Sequence, residues 1–179
     1  GSAPITLTAT GSSSLYLGPS SNFGGPVTAT APDIWVQGAV YNSPAGFTKT
    51  GGSSNHNNQY QNIFKSTCTI NQQSSAGYFM LGYNSNDLFN DDIILTSSGS
   101  GGIYLGWNSG TGTPTLSAGK TIRVGAAGFS AGFLRLNTFT QLGNAPMNLT
   151  FTGTNTYLSF ALGSVIAGDM NASTPDMFF

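Results

Sequence analysis

The chain has 179 residues, and only 6% of them are charged, against about 25% in an ordinary soluble domain. Five cations and six anions leave a net charge of −1. This balance excludes a broad basic surface for nucleic acid and argues against an electrostatic membrane binder. No apolar run reaches the roughly 18–20 residues of a transmembrane helix, so we expect no membrane insertion. Hydrophobic residues still make up 39% of the chain, which indicates a folded domain.

The residue types of the surface favour strands over helices. Glutamate is absent, and lysine and arginine together number five, although these residues normally coat the solvent face of surface helices. The polar surface must therefore come from Ser, Thr, Asn, Gln and Gly, which suit strands and turns.

Segments with strand character recur along the chain between turn segments rich in Gly, Asn and Ser. In Met147–Phe151 every second residue is apolar, and Arg135 lies opposite to its two leucine neighbours, as in half-buried strands. The pattern predicts strands at 5–9, 14–17, 34–41, 63–70, 78–83, 93–96, 103–107, 121–124, 133–139, 147–151 and 157–162. About eleven short strands at this spacing predict an all-β fold, namely an antiparallel β-sandwich or jelly roll.

The first thirty residues differ in character from the rest. Residues 1–2, Gly-Ser, are typical of a pair left by cloning. Residues 3–30 contain two alternating segments joined by a Gly-Ser turn and followed by Gly-Pro, and we interpret them as a lead-in to a head domain at 31–179. One weak internal echo is present, because Ser14-Leu-Tyr-Leu-Gly18 is similar to Gly102-Ile-Tyr-Leu-Gly106.

The segment Pro4–Pro19 resembles one repeat of the β-spiral shaft in trimeric viral fibres of the adenovirus and reovirus type. Those repeats pair a short strand, a Gly-containing turn, a second strand and a loop with Pro or Gly. Residues 30–179 have the length and strand number of the trimeric head that ends such a shaft. The resemblance implies a homotrimer on a virion or another extracellular surface.

The leading functional hypothesis is an attachment head that binds a host receptor or a surface glycan without chemistry on its ligand. Two alternatives remain open at this point. One is a structural subunit, such as a capsid protruding domain, whose partners are copies of itself. The other is a monomeric carbohydrate-binding module of a secreted protein.

Aromatic residues beside polar loops are the candidate ligand-binding residues. Trp107 and Asn108 begin a loop rich in Gly and Thr, and Tyr60 and Tyr83 adjoin loops rich in Asn and Gln. Aromatic faces next to amide and hydroxyl groups suit a glycan, because a ring can stack while polar groups bind hydroxyls.

Three of the six aspartates lie close together in the sequence, namely Asp87, Asp91 and Asp92. Clustered carboxylate and amide oxygens are the ligands that Ca²⁺ requires, so a calcium site is one hypothesis. The spacing does not match an EF-hand, and a turn that hydrogen-bonds its own backbone is the other interpretation. No other cofactor is expected.

The remaining chemical motifs argue against an enzyme. Gly128-Phe-Ser-Ala-Gly132 matches the G-x-S-x-G pattern, but no histidine follows Ser130, and the one histidine, His56, lies upstream. That motif requires a strand-to-helix elbow, whereas we expect a glycine-flanked turn between strands. The single cysteine, Cys68, cannot form an internal disulfide and is expected to be a buried small hydrophobe.

Overall fold

A computed structural model describes residues 1–54, 60–107, 110–161 and 163–179. These residues form strands, turns and bends but no helix. Consequently, no helix in the described ranges is long and apolar enough to cross a membrane. The all-β part of the prediction is therefore confirmed.

The described residues form twenty-one short strands, which follow one another along the chain. They are β1 (Ile5–Thr8), β2 (Ser14–Leu17), β3 (Asn22–Phe23), β4 (Val27–Ala31), β5 (Asp33–Val36), β6 (Val40–Tyr41), β7 (Ala45–Lys49), β8 (Ile63–Phe64), β9 (Cys68–Gln72), β10 (Tyr78–Leu81), β11 (Leu88–Phe89), β12 (Ile93–Ser97), β13 (Gly102–Leu105), β14 (Thr115–Leu116), β15 (Ile122–Phe129), β16 (Gly132–Leu136), β17 (Thr140–Gln141), β18 (Met147–Thr150), β19 (Thr156–Phe160), β20 (Met170–Ser173) and β21 (Asp176–Phe178).

The strands form three long faces of a coil. Face 1 is an eight-stranded sheet in the order β1-β4-β7-β9-β12-β15-β18-β20. Face 2 is a five-stranded sheet in the order β10-β13-β16-β19-β21, and the separate pair β2-β5 holds the same place in the first two turns. Face 3 is a six-stranded sheet, and its members are β3, β6, β8, β11, β14 and β17. We call the stretch from one face 1 strand to the next a rung.

The predicted antiparallel sandwich or jelly roll is wrong. Every strand pairing among the described residues is parallel, and strands that follow one another along the chain never pair. The fold is a parallel β-solenoid, in which each rung stacks on the previous one. Where the structure describes them, the Gly- and Asn-rich segments, predicted as turns between strands, are corners that carry the chain to the next face.

The rungs differ in length, which hides the repeat in the sequence. The shortest runs from Val27 to Ala45, 18 residues, and the longest runs from Ile93 to Ile122, 29 residues. Residues 3–30, predicted as a lead-in, contain the first rung and most of β4. Strands β1, β2 and β3 pair directly with β4, β5 and β6.

The interior is built from columns of residues in register. On face 1, one column carries Val27, Ala45, Cys68, Ile93 and Ile122 in successive rungs, and all five side chains are buried. Cys68 is a free, fully buried cysteine, as predicted. Each apolar side chain lies on its equivalent one rung away, so the columns form one continuous core.

The core of face 3 is a ladder of stacked aromatic rings. Ring centroids lie 5.1 Å apart between Phe23 and Tyr41, and 4.9 Å apart both between Tyr41 and Phe64 and between Phe64 and Phe89. These separations follow the spacing of about 4.7–4.9 Å between neighbouring strands, because each ring extends from the same register position of its strand.

Glycines with positive φ recur where the chain turns from face 2 to face 3. Gly82 follows β10 with φ of +76°, and Gly106 follows β13 with φ of +84°. A Cβ on Gly106 would lie 1.6 Å from the carbonyl oxygen of Asn137 in the next rung. The echo between 14–18 and 102–106 reflects equivalent places in the coil, since both segments are the second strand of a rung followed by glycine, although only Gly106 of the two glycines has positive φ.

Truncating the ladder at its centre should weaken the whole coil. Phe64→Ala removes a fully buried ring that packs against three others. We expect a loss of about 3–5 kcal/mol in the free energy of unfolding, measured by urea denaturation. Tyr60→Ala is the control, because that side chain is 54% exposed and should change stability by less than about 0.5 kcal/mol. Equal losses in the two variants would contradict the ladder's role.

Candidate functional site

The outer side of face 2 carries aromatic residues where the outer sides of ordinary strands carry polar ones. Strand register places the outward residues in two columns. The first column is Tyr78, Gly102, Phe133, Tyr157 and Asp176. The second column is Met80, Tyr104, Arg135, Ser159 and Phe178. Leu134 and Leu136, which flank Arg135, point the other way into the core.

The rings of these columns contact one another across four rungs. Tyr78 and Tyr104 have centroids 4.8 Å apart, Tyr104 and Phe133 5.4 Å, and Phe133 and Tyr157 4.7 Å. Phe178 continues the series, 5.5 Å from Tyr157. We call this surface the aromatic strip, and its members are Tyr78, Tyr83, Tyr104, Trp107, Phe133, Tyr157 and Phe178.

Trp107 and Tyr83, two of the predicted ligand-binding residues, lie together at one end of the strip. The indole of Trp107 is 6.3 Å from Tyr83, 5.8 Å from Tyr78 and 4.9 Å from Tyr104, measured between ring centroids. Tyr60, also predicted, packs its Cβ beside Gly38 of an earlier corner. The fourth predicted residue, Asn108, lies outside the described residues.

The loop that follows Trp107 is attached to the loop of the preceding rung. The Asn84 side chain accepts a hydrogen bond from the backbone N–H of Thr111 (3.3 Å), and the Asn86 side chain accepts one from Thr113 (2.8 Å). These hydrogen bonds join two neighbouring rungs. They therefore restrain the two loops at this end of the strip relative to each other. A restrained aromatic surface loses little conformational entropy when it binds.

A glycine makes room for the central ring of the strip. A Cβ built on Gly102 would lie 2.2 Å from the Phe133 ring, so any larger residue would displace that ring. The ring lies over the bare backbone of β13 and stacks at 7° to the plane of Tyr157. Gly102 is thus a structural requirement for the position of the Phe133 ring in the strip.

Two phenols of the strip, those of Tyr78 and Tyr104, are held uncharged at neutral pH by burial. Burial raises the pKa of Tyr104, although the nearby Arg135 opposes this effect. Burial also raises the pKa of Tyr78, partly offset by a hydrogen bond with Ser54. Neutral phenols can donate and accept hydrogen bonds while their ring faces remain available for stacking.

Asp87, predicted as a calcium ligand, is a fully buried hydrogen-bond acceptor inside the coil. Its Oδ1 accepts from the backbone N–H of Asn62 (2.8 Å), from the Asn62 side chain (3.1 Å) and from Ser85 Oγ (2.9 Å). Its Oδ2 accepts from the backbone N–H of Gly82 (2.9 Å). This carboxylate fixes two corners to each other.

The other two aspartates of that cluster bind cations of the chain itself. Lys120 Nζ lies 2.7 Å from Asp91, and Arg123 Nε lies 3.7 Å from Asp92. The Lys120 hydrogen bond lowers the pKa of the Asp91 carboxyl. Within the described ranges, no group of three His, Cys, Asp or Glu side chains is arranged to hold a metal ion.

Ser130 lies in a turn between β15 and β16, with strands on both sides. Gly128 and Gly132 have positive φ, and Ser130 Oγ donates to the carbonyl of Ser97 at 3.2 Å. The strand-to-helix elbow that a G-x-S-x-G nucleophile needs is replaced by strand, turn and strand. His56 lies outside the described residues.

Sequence reasoning missed most of the strip. The residues that it did not propose for ligand binding are Tyr78, Tyr104, Phe133, Arg135, Tyr157 and Phe178. One indication was available, because alternation placed Arg135 opposite to the leucines and therefore on the same side as Phe133. Assembling the strip also needed the register between rungs, which alternation within one strand does not contain.

The chain matches no protein-family model, no curated protein and no solved structure. The proposals below therefore depend on the geometry of the site.

Removing the Asp87 carboxylate should destabilise the coil whether or not calcium is present. Asp87→Ala leaves four donors without their acceptor, and each buried, unsatisfied donor costs about 1–3 kcal/mol. We expect a large fall in melting temperature, equal in calcium and in chelator. The control, Asp91→Asn, disrupts a partly exposed pair worth about 0–1 kcal/mol. A calcium-dependent melting temperature of the unmodified protein would contradict this interpretation.

Proposed function

We propose that this chain is a non-catalytic recognition domain that binds glycans through the aromatic strip. The observation that supports the proposal is the continuous run of mutually packed rings on the outer side of face 2, at spacings of 4.7–5.8 Å. The proposal keeps the recognition function that we expect from the sequence, and the scaffold that carries it is the solenoid.

The chemistry of the strip suits sugar rings. A pyranose presents an apolar C–H face that packs on an aromatic ring, and its edge hydroxyls need polar partners. Apart from the buried Tyr104, the strip supplies half-buried or exposed rings, and phenol groups, Ser159 and Asp176 supply hydrogen-bonding groups beside them. A linear glycan can run along the strip across the rungs, since the rings follow one another in that direction.

The placement of the carboxylates supports a binding role over a catalytic one. A glycosidase of the common type needs two carboxyl groups about 5–10 Å apart across the scissile bond. Among the residues that the structure describes, Asp176 is the one carboxylate that lines the groove at Tyr157. Asp87 and Asp33 are buried, and Asp33 is paired with Lys49 at 3.2 Å.

The proposal places the protein at a virion surface, at a cell surface or in the extracellular medium, where glycans are displayed. The low charge and the surface rich in Ser, Thr and Asn suit that environment. The expected ligand is a host or surface glycan, and the homotrimer expected from the fibre resemblance remains a prediction.

Loss of the indole should abolish most of the glycan binding. Trp107→Ala removes the ring that contacts three tyrosines, and we expect affinity to fall by at least about tenfold. The protein would first be screened on a glycan array, and affinities for the best ligand measured by calorimetry. Tyr16→Ala is the control, since Tyr16 is 66% exposed and stacks on Trp35, outside the strip.

Unchanged affinity in Trp107→Ala, with a normal melting temperature, would contradict the proposed site. So would an array on which the unmodified protein binds nothing. Because burial raises the pKa values of Tyr78 and Tyr104, affinity for an uncharged glycan should remain constant up to about pH 9.

Self-association is a second candidate function, favoured by one specific observation. Three consecutive large apolar side chains are exposed at the last rung, namely Met177 (37%), Phe178 (54%) and Phe179 (94%). Adjacent exposed apolar residues of this kind mark interaction surfaces. Phe179 also lines an open groove with Phe160 and Met170.

Light scattering on a size-exclusion column tests this candidate. If these residues join copies of the chain, the mass should be a multiple of 18.5 kDa, and Phe179→Ser should shift it toward the monomer. Tyr60→Ser, an exposed aromatic elsewhere, is the control. A monomer at all concentrations would exclude self-association through this surface.

A further inference from the structure

Arg135 lies among the rings of the aromatic strip. Its guanidinium carbon is 5.4 Å from the ring centroid of Phe133, 5.6 Å from that of Tyr104 and 5.7 Å from that of Tyr157. A cation within about 6 Å of a ring face is attracted by the ring quadrupole. The three rings thus stabilise the positive charge of Arg135 and hold the plane of its guanidinium in place.

The charge of Arg135 has no carboxylate partner among the described residues. The ion pairs of the described ranges join Lys49 to Asp33, Lys120 to Asp91 and Arg123 to Asp92. Nη2 contacts the phenol oxygen of Tyr157 at 3.4 Å, and Tyr104 also interacts with the guanidinium. Nε is buried and has no hydrogen-bond partner in this part of the chain.

A guanidinium has five N–H donors, so Arg135 keeps donor capacity that the described residues do not use. The same side chain lines a groove that opens to solvent, together with Tyr157, Ser159, Asp176 and Phe178. The groove therefore combines aromatic faces, a hydroxyl and a permanent positive charge. Neutral sugars would use only the first two of these features.

We propose that Arg135 makes the aromatic strip selective for acidic polysaccharides, whose uronate carboxylate binds the guanidinium through paired hydrogen bonds. This inference rests on the proposed glycan-binding function. The planar fork of arginine matches the two oxygens of a carboxylate, and the flanking rings receive the sugar that carries it. The exposed carboxylate of Asp176 in the same groove opposes an anionic ligand and limits the affinity.

The test compares two ligands that differ in the carboxylate alone. Calorimetry would use a galacturonate hexamer and the same hexamer with its carboxyl groups reduced to hydroxymethyl groups. We expect the unmodified protein to bind the acidic hexamer at least about tenfold more tightly, with an affinity that falls as salt is added. Affinity for the reduced hexamer should not respond to salt.

Three variants separate the role of the charge from that of packing. Arg135→Met keeps an apolar stem over the rings and should bind the acidic hexamer no more tightly than the reduced one. Arg135→Lys keeps the charge without the fork and should retain part of the preference. Asp176→Asn should strengthen binding of the acidic hexamer and leave the reduced one unchanged. Melting temperatures would verify that each variant is folded.

The outcomes distinguish this inference from the function on which it rests. Equal binding of both hexamers by the unmodified protein, or an unchanged preference in Arg135→Met, would overturn the selectivity while leaving glycan binding intact. Failure of both hexamers to bind, together with an array on which the protein binds no glycan, would overturn the proposed function itself.

Discussion

The parallel register between successive rungs is the constraint on which the rest of the structure depends. Because equivalent residues lie directly above one another, an inward residue meets a similar residue at each step, as in the column from Val27 to Ile122. Core packing, the Phe23–Phe89 ring ladder and the corner glycines all follow from this alignment. A one-residue slip in any strand would turn its apolar side chains outward, so the buried columns select a single register.

The same alignment produces the candidate site on the outer surface. Four rungs place an aromatic side chain outward on face 2, and register brings those side chains into contact. The inner columns therefore fix the positions of the outer rings. Gly102 and Arg135 complete the surface, since one leaves space for a ring and the other supplies a charge held by three rings.

The amino-acid sequence was sufficient to predict that the chain forms strands, but it was insufficient to predict the order and direction in which those strands pair. Alternation reports which side of a strand is buried, as it did at Met147–Phe151, but it carries no information about the direction of the neighbouring strand. Glycine and asparagine are equally suited to hairpins and to solenoid corners, and rungs of 18 to 29 residues leave no fixed period. Trp107 and Tyr83 could be found because each adjoins a polar loop. The sequence left the role of Asp87 open between a calcium ligand and a hydrogen-bonding turn, because carboxylate oxygens suit calcium and backbone N–H donors alike.

The buried thiol of Cys68 gives this coil an internal reporter of its own fluctuations. Cys68 lies in the central rungs with no solvent exposure, and burial raises its pKa well above the usual value. Since a thiol reagent reacts with the exposed thiolate, labelling requires the rungs on either side to separate. Stability in a solenoid is a sum over neighbouring rungs, so opening can begin at either end and stop before the centre. The labelling rate of this one residue would therefore separate fraying of the terminal rungs from opening of the whole coil.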